Sequence, residues 1–258
     1  MPIYPEPALS VSPFLVDIEA AYQAGDLDRV MYWLNARKPA LHVSIVETRL
    51  DIAEIAQHLR RFIFILDTQD RQFTLRYADC AVLASLPSLL TAVQWSTMTG
   101  PIIRWDVHDR SGVLIPLPPT ECHASGSTPL LLDEEQLAAI DEASEPDHYI
   151  AKVKMMRNGA ALPGNAAEHY AWALTARQTW RAAANSNPLF LLFLTEAALV
   201  SRGDVLRRPE IQGFLAMDEV SAFRDRLREL VRDGIGKRNR TSQSEITDER
   251  SNMDVFFV

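Results

Sequence analysis

Six histidines, two cysteines and a few acidic clusters are the residues with which this chain could do chemistry. A zinc site of the helical metalloprotease kind needs two histidines one turn apart on one face. His42, His58, His108, His123, His148 and His169 never stand at that i, i+4 spacing. Cys122 and His123 are adjacent, and no second cluster supplies the remaining ligands of a four-coordinate structural zinc. Cys80 follows Asp79, whose negative charge opposes thiolate formation, so a small buried side chain is expected there rather than a nucleophile. Gly234-Ile235-Gly236-Lys237 superficially suggests a phosphate loop. It lacks the glycine five residues before Gly236, and Arg238 stands where a hydroxyl is required. No serine occupies a nucleophile-elbow pattern. Asp133-Glu134-Glu135 and Asp141-Glu142 fall at helix starts or on solvated faces, where negative charge complements the helix dipole. No catalytic, cofactor-binding or metal-binding residue is therefore assigned, and the chain is expected not to be an enzyme. The alternative from that class is a scattered active site built from single residues such as His58, Asp79 and His108.

Bulk composition points the same way. The 258 residues are 47% hydrophobic and 23% charged, ordinary values for a globular chain able to bury a core. A formal net charge of −8 argues against a general nucleic-acid binder, whose affinity rests on clustered Lys and Arg. Two cysteines cannot build a disulfide framework, which suits a reducing compartment. The most apolar window, 189–200, is interrupted by Thr195 and Glu196 and falls short of the roughly 20 residues of a membrane span. Met1–Glu6 shows no basic region leading into an apolar run, so no secretory signal is expected. The expectation is a cytoplasmic protein without a membrane span.

The elements that would position any site divide into two styles. Up to about residue 118 the pattern mixes helix and strand. Asp26 is a plausible cap for a helix over 27–34, and Leu41–Val46 alternates as a strand. Ile52, Ile55, Ala56 and Leu59 have the spacing of one buried helical stripe. Arg61–Asp67 and Phe73–Tyr77 read as a strand hairpin. A helical stretch over 80–95 carries Leu83, Leu86, Leu90 and Val93 inward, with Pro87 starting or restarting it. Pro101–Val107 and Val113–Leu117 read as two more strands around the turn at 109–112. Pro116, Pro118, Pro119 and the Ser125-Gly126-Ser127 run mark a linker over 119–131. From 132 to 235 the pattern is helical, opened by the capping pairs Asp133/Gln136 and Asn165/Glu168. The polar run beyond 236 is expected to be a flexible tail. The fold class expected is α+β: a mixed lobe with a small sheet over 1–118, then a helical lobe over 132–235.

One segment carries a recognisable order. Arg76-Tyr77-Ala78-Asp79-Cys80-Ala81-Val82-Leu83 is followed by Leu86-Pro87-Ser88-Leu89-Leu90, then Gly100-Pro101-Ile102 and Trp105. In that order and spacing it resembles the chaperone-adaptor family of type VI secretion effectors, catalogued as domain of unknown function 4123. His58-Leu59-Arg60 and Leu132–Leu137 extend the likeness over residues 12–155, and it continues more faintly through Gly203–Ile211. Two features depart from the family pattern. Cys80 stands where the family usually has proline, and the strand-helix unit that opens longer members is not seen upstream.

The resemblance implies a non-enzymatic protein that binds a cognate toxic effector in the cytoplasm. It would stabilise that effector and help load it onto the spike protein of the secretion apparatus. Arg76, Tyr77, Asp79, Leu86, Pro87, Gly100, Pro101 and Trp105 read as mainly structural family-motif residues. Arg76 and Asp79 would pair around a strand end, and Trp105 would anchor the core. Val255-Phe256-Phe257-Val258 ends the chain as an apolar run after a polar tail, which makes Phe256 and Phe257 candidate partner contacts. A toxin or immunity component of the same locus is a further alternative.

Overall fold

The computed structural model describes residues 1–4, 6, 8–35, 42–120, 126 and 128–234. The chain is of the α+β class and separates into two compact units, Met1–Ser144 and Glu145–Val258. The division falls later than the Pro-rich 119–131 stretch.

The first unit opens with two short helices, α1 (Ile18–Gln23) and α2 (Leu27–Asn35), which pack on each other. Asp17 caps α1 by accepting from the Ala20 amide at 2.9 Å. Strand β1 (Ser44–Thr48) begins later than the alternation suggests; His42 and Val43 precede it outside the ladder, and Leu41 lies outside the described residues. Helix α3 (Ile52–Arg60) starts at a reciprocal capping box between Asp51 and Glu54 and buries Ile55, Ala56 and Leu59, the expected stripe. Strands β2 (Phe64–Leu66) and β3 (Gln72–Thr74) form the antiparallel hairpin. Both are shorter than the apolar runs that announced them.

The helical stretch expected over 80–95, with Pro87 starting or restarting it, is three pieces: α4 (Cys80–Leu83), α5 (Leu86–Leu89) and α6 (Ala92–Thr99). Pro87 lies in the first turn of α5, where its missing N–H costs nothing. Leu90 then adopts an extended conformation, and Thr91 with Gln94 caps a new helix on a new axis. The helical phase does not carry across that break. Leu83, Leu86 and Leu90 are buried as expected, whereas Val93 turns outward.

Strands β4 (Ile102–His108) and β5 (Leu114–Pro116) complete one sheet in the order β1-β4-β5, antiparallel throughout. A register shift between Glu47 and Thr48 bends the β1–β4 pair. In the second sheet a two-residue strand, β6 (Leu130–Leu131), runs parallel to β2, giving the order β3-β2-β6. The described parts of the Pro-rich stretch lie against α6. Trp95 Nε1 donates to Pro118 O at 3.2 Å, and the Gly126 amide donates to Thr97 Oγ1 at 2.6 Å.

Helix α7 (Glu134–Met156) runs from the first unit into the second. Asp133 and Gln136 cap it reciprocally. Pro146 removes one rung of its ladder just past the division. Gln136 also donates to Leu89 O at 3.0 Å and to Gln94 Oε1 at 2.8 Å, while Gln94 donates to Leu131 O at 2.7 Å. The capping glutamines of α6 and α7 thus bond each other.

The second unit is helical. Asn165 and Glu168 cap α8 (Ala166–Ala182); Pro188 opens α9 (Pro188–Ser201); α10 (Glu210–Leu215) and α11 (220–234) follow. Phe190 and Phe223 stack at 4.3 Å in the main cluster. A smaller cluster joins Ile150 and Val153 of α7 to Ala173 and Leu199. Arg202, left-handed, and Gly203 end α9, the Gly203 amide returning to Ala198 O at 2.8 Å. Trp172 lies between Gly164 and Gly203; an added Cβ would stand 2.7 Å from the indole at either position.

Candidate functional site

The motif segment closes β3 and leads through the three short helices into β4. Leu75 and Tyr77 are buried, and the Tyr77 hydroxyl donates to Leu59 O at the end of α3, at 3.0 Å. Burial raises the Tyr77 phenol well above its ordinary value. Arg76 and Asp79 pair at 3.1 Å, with the Arg76 side chain largely exposed. The other Asp79 oxygen accepts from the Ala81 amide, so one carboxylate both caps α4 and holds the turn before it. Leu86 is fully buried.

Three side chains from this region converge on the residues that open β1. Cys80 Sγ donates to Val43 O at 3.2 Å, and His108 Nδ1 donates to the same carbonyl at 2.7 Å. Trp105 Nε1 donates to Ser44 Oγ at 3.1 Å, while its ring is buried opposite Val46. Gly100 caps the end of α6, and an added Cβ would meet Ser96 O at 3.1 Å. Pro101 O accepts from Thr48 Oγ1 at 2.7 Å, fixing the far end of β1. Cys80, Pro101 and Trp105, with His108, therefore pin the two ends of one strand, and Asp79 holds the start of α4.

Several groups that would serve chemistry are engaged in the same way. His58 Nε2 bonds Met98 O at 2.8 Å, and burial holds this imidazole below its ordinary pKa. Burial pushes the Cys80 thiol up, away from the reactive thiolate. His169 bonds Pro163 O; His42 and His148 are exposed. Among the described residues no group of three or more His, Cys, Asp and Glu is placed to hold a metal ion. An open depression of about 270 Å³ is lined by Arg49, Leu50, Gly100, Pro101, Ile102 and Ile103, and only Arg49 among these carries a charge. Phe256, Phe257, Cys122, His123 and the glycine–lysine run from Ile235 onward lie outside the described residues.

Residues 5–97 match the family model for a domain of unknown function (DUF4123). No curated protein and no solved structure matches the chain. The matched segment takes in α1 to most of α6, including Arg76, Tyr77, Asp79, Leu86 and Pro87; Gly100, Pro101 and Trp105 lie just beyond it. Among the described residues no helix is long and apolar enough to cross a membrane.

Sequence reasoning missed one surface inside the matched segment. Phe14, Val16, Ile18, Tyr22, Met31, Tyr32 and Trp33 are all exposed on and beside the α1–α2 hairpin. A signal for it was present. Met31-Tyr32-Trp33 spans about 200° of a helix at 100° per residue, so one buried face cannot take all three.

Proposed function

We propose that this chain is a chaperone-adaptor that binds one cognate type VI secretion effector in the cytoplasm, stabilises it and helps load it onto the secretion spike protein. The observation that carries this reading is the ordered series from Arg76 to Trp105, whose residues and spacing resemble that family. The match of residues 5–97 to the model for that domain of unknown function agrees with the resemblance. In this reading the protein acts by binding, not catalysis. The buried motif groups hold backbone in place, and the exposed apolar side chains of the first unit offer contact surface.

The test is co-expression with the effector encoded beside this gene. Co-purification as a defined complex, together with loss of effector delivery when the gene is deleted, is the expected outcome. Absence of a complex with intact delivery would sink the proposal.

A further inference from the structure

We infer that helix α7 carries a hinge: the turn 141–145 opens and bends while the helix on either side of it stays anchored, so that the two compact units reorient about this turn.

The two halves of α7 are anchored separately. Leu137 and Ile140 pack on the apolar cluster of the first unit, and Gln136 bonds Leu89 O and Gln94. On the other side Pro146, Tyr149, Ile150 and Val153 are buried, and Ile150 and Val153 belong to the smaller cluster of the second unit. Glu145 bonds the buried Arg177 and lies 3.5 Å from Arg181, while Arg157 pairs with Glu196 of α9 at 3.8 Å. Between these anchors none of Asp141, Glu142, Ala143 and Ser144 is buried. The division between the units falls at the end of this stretch, between Ser144 and Glu145.

The unanchored turn is also the weakest part of the helix on chemical grounds. Pro146 has no N–H to give to Glu142 O, and its ring crowds that carbonyl. Ser144 Oγ donates to Asp141 O at 3.1 Å and so competes for the carbonyl that the Glu145 amide would take, a kind of bond that bends helices. Asp141 and Glu145 carry like charge at i, i+4, and the first Lys or Arg of α7 is Lys152, so no intrahelical pair with a base supports this stretch. Asp, Ser and Pro are themselves poor helix formers. Opening a turn costs least where no buried contact must break with it, so bending concentrates at 141–145.

The experiment uses the full chain. Hydrogen exchange resolved along α7 is expected to run at least about tenfold faster over 141–148 than over 138–140 and 150–153. Pro146→Ala returns the missing donor and should slow exchange over 141–148 at least about tenfold, while Ala143→Gly, which loosens the turn, should speed it about fivefold. Movement of the units is read separately, as the distance distribution between dyes on azide-bearing phenylalanines placed at Tyr22 and Met155, which are 70% and 78% exposed in the first and second units. That distribution should narrow in Pro146→Ala and broaden in Ala143→Gly. Even protection from 138 to 153 overturns the inference. So does fast exchange over 141–148 with a distance distribution that neither variant alters, which makes the turn a site of fraying and not a hinge. Should Pro146→Ala fail to fold for want of the buried ring, the exchange and the distances of Ala143→Gly decide between the same outcomes.

Discussion

The indole of Trp172 rests on the bare Cα of Gly203, the residue that ends α9, so closely that a methyl group there would stand 2.7 Å from Cδ1. Gly164 meets the opposite end of the same ring, at Cη2. Trp172 packs against both apolar clusters of the second unit, and the two glycines set its position.

Gly203→Ala should therefore destabilise the second unit by about 2–4 kcal/mol, combining left-handed backbone strain at φ +78 with overpacking against the ring. Gly159→Ala has similar strain at φ +77 but open space around the new methyl, and should cost only about 1 kcal/mol. Urea denaturation followed by circular dichroism separates the two. Equal midpoints would show that Trp172 yields.

Tyr77→Phe should cost about 1 kcal/mol near neutral pH, because the phenol's bond to Leu59 O is lost while that carbonyl still accepts from the Phe62 amide. Alkaline pH should reverse part of the difference. The folded phenol is raised above its unfolded value of about 10, so its stabilisation is complete below that pH and is lost as pH rises toward the folded value. The variant should lack that decline, a difference visible in melting temperatures between pH 8 and roughly 11.

The His58 imidazole gives a slope of opposite sign. Burial favours its neutral form in the folded state, so protons bind the unfolded chain more readily. Stability should fall as pH drops below about 6.5. His58→Gln keeps a donor for Met98 O and should show a shallower fall between pH 6.5 and about 5. Parallel curves for the two proteins would assign the slope elsewhere.

Arg177 is buried within α8 and bonds Glu145 through Nε; Arg181 reaches the same carboxylate at 3.5 Å. Glu145→Ala should cost about 2 kcal/mol, between a surface pair and a fully buried one, because Glu145 itself is partly exposed. A double-mutant cycle with Arg177→Met gives the coupling directly. A coupling near zero would show that other bonds of Arg177 hold it.

Local signals were the legible part of this fold. Asp133/Gln136 and Asn165/Glu168 each mark a helix start because the bonds they make span only three residues. Over 80–95 the same logic failed, since the Leu spacing stays helical while Leu90 breaks the axis that the spacing assumes. Strand β6 was illegible because two residues carry no period and its partner lies 65 positions earlier in the chain. The motif residues were legible as chain segments, but their convergence on Val43 and Ser44 was not, because it comes from β4 pairing with β1. The α1–α2 surface was legible only through Met31-Tyr32-Trp33, a run too wide for one buried face, because an amphipathic stripe shows which side is apolar and says nothing of whether anything covers it.

The bond between Gln94 and Gln136 carries a kinetic consequence. Each glutamine holds the first turn of its own helix and a carbonyl that lies beside the other helix: Leu131 before α7 for Gln94, Leu89 before α6 for Gln136. Fraying at one helix start breaks the clasp that restrains the other. The first-turn amides of α6 and α7 should therefore exchange their hydrogens with solvent at one shared opening rate, although 42 positions separate the two glutamines.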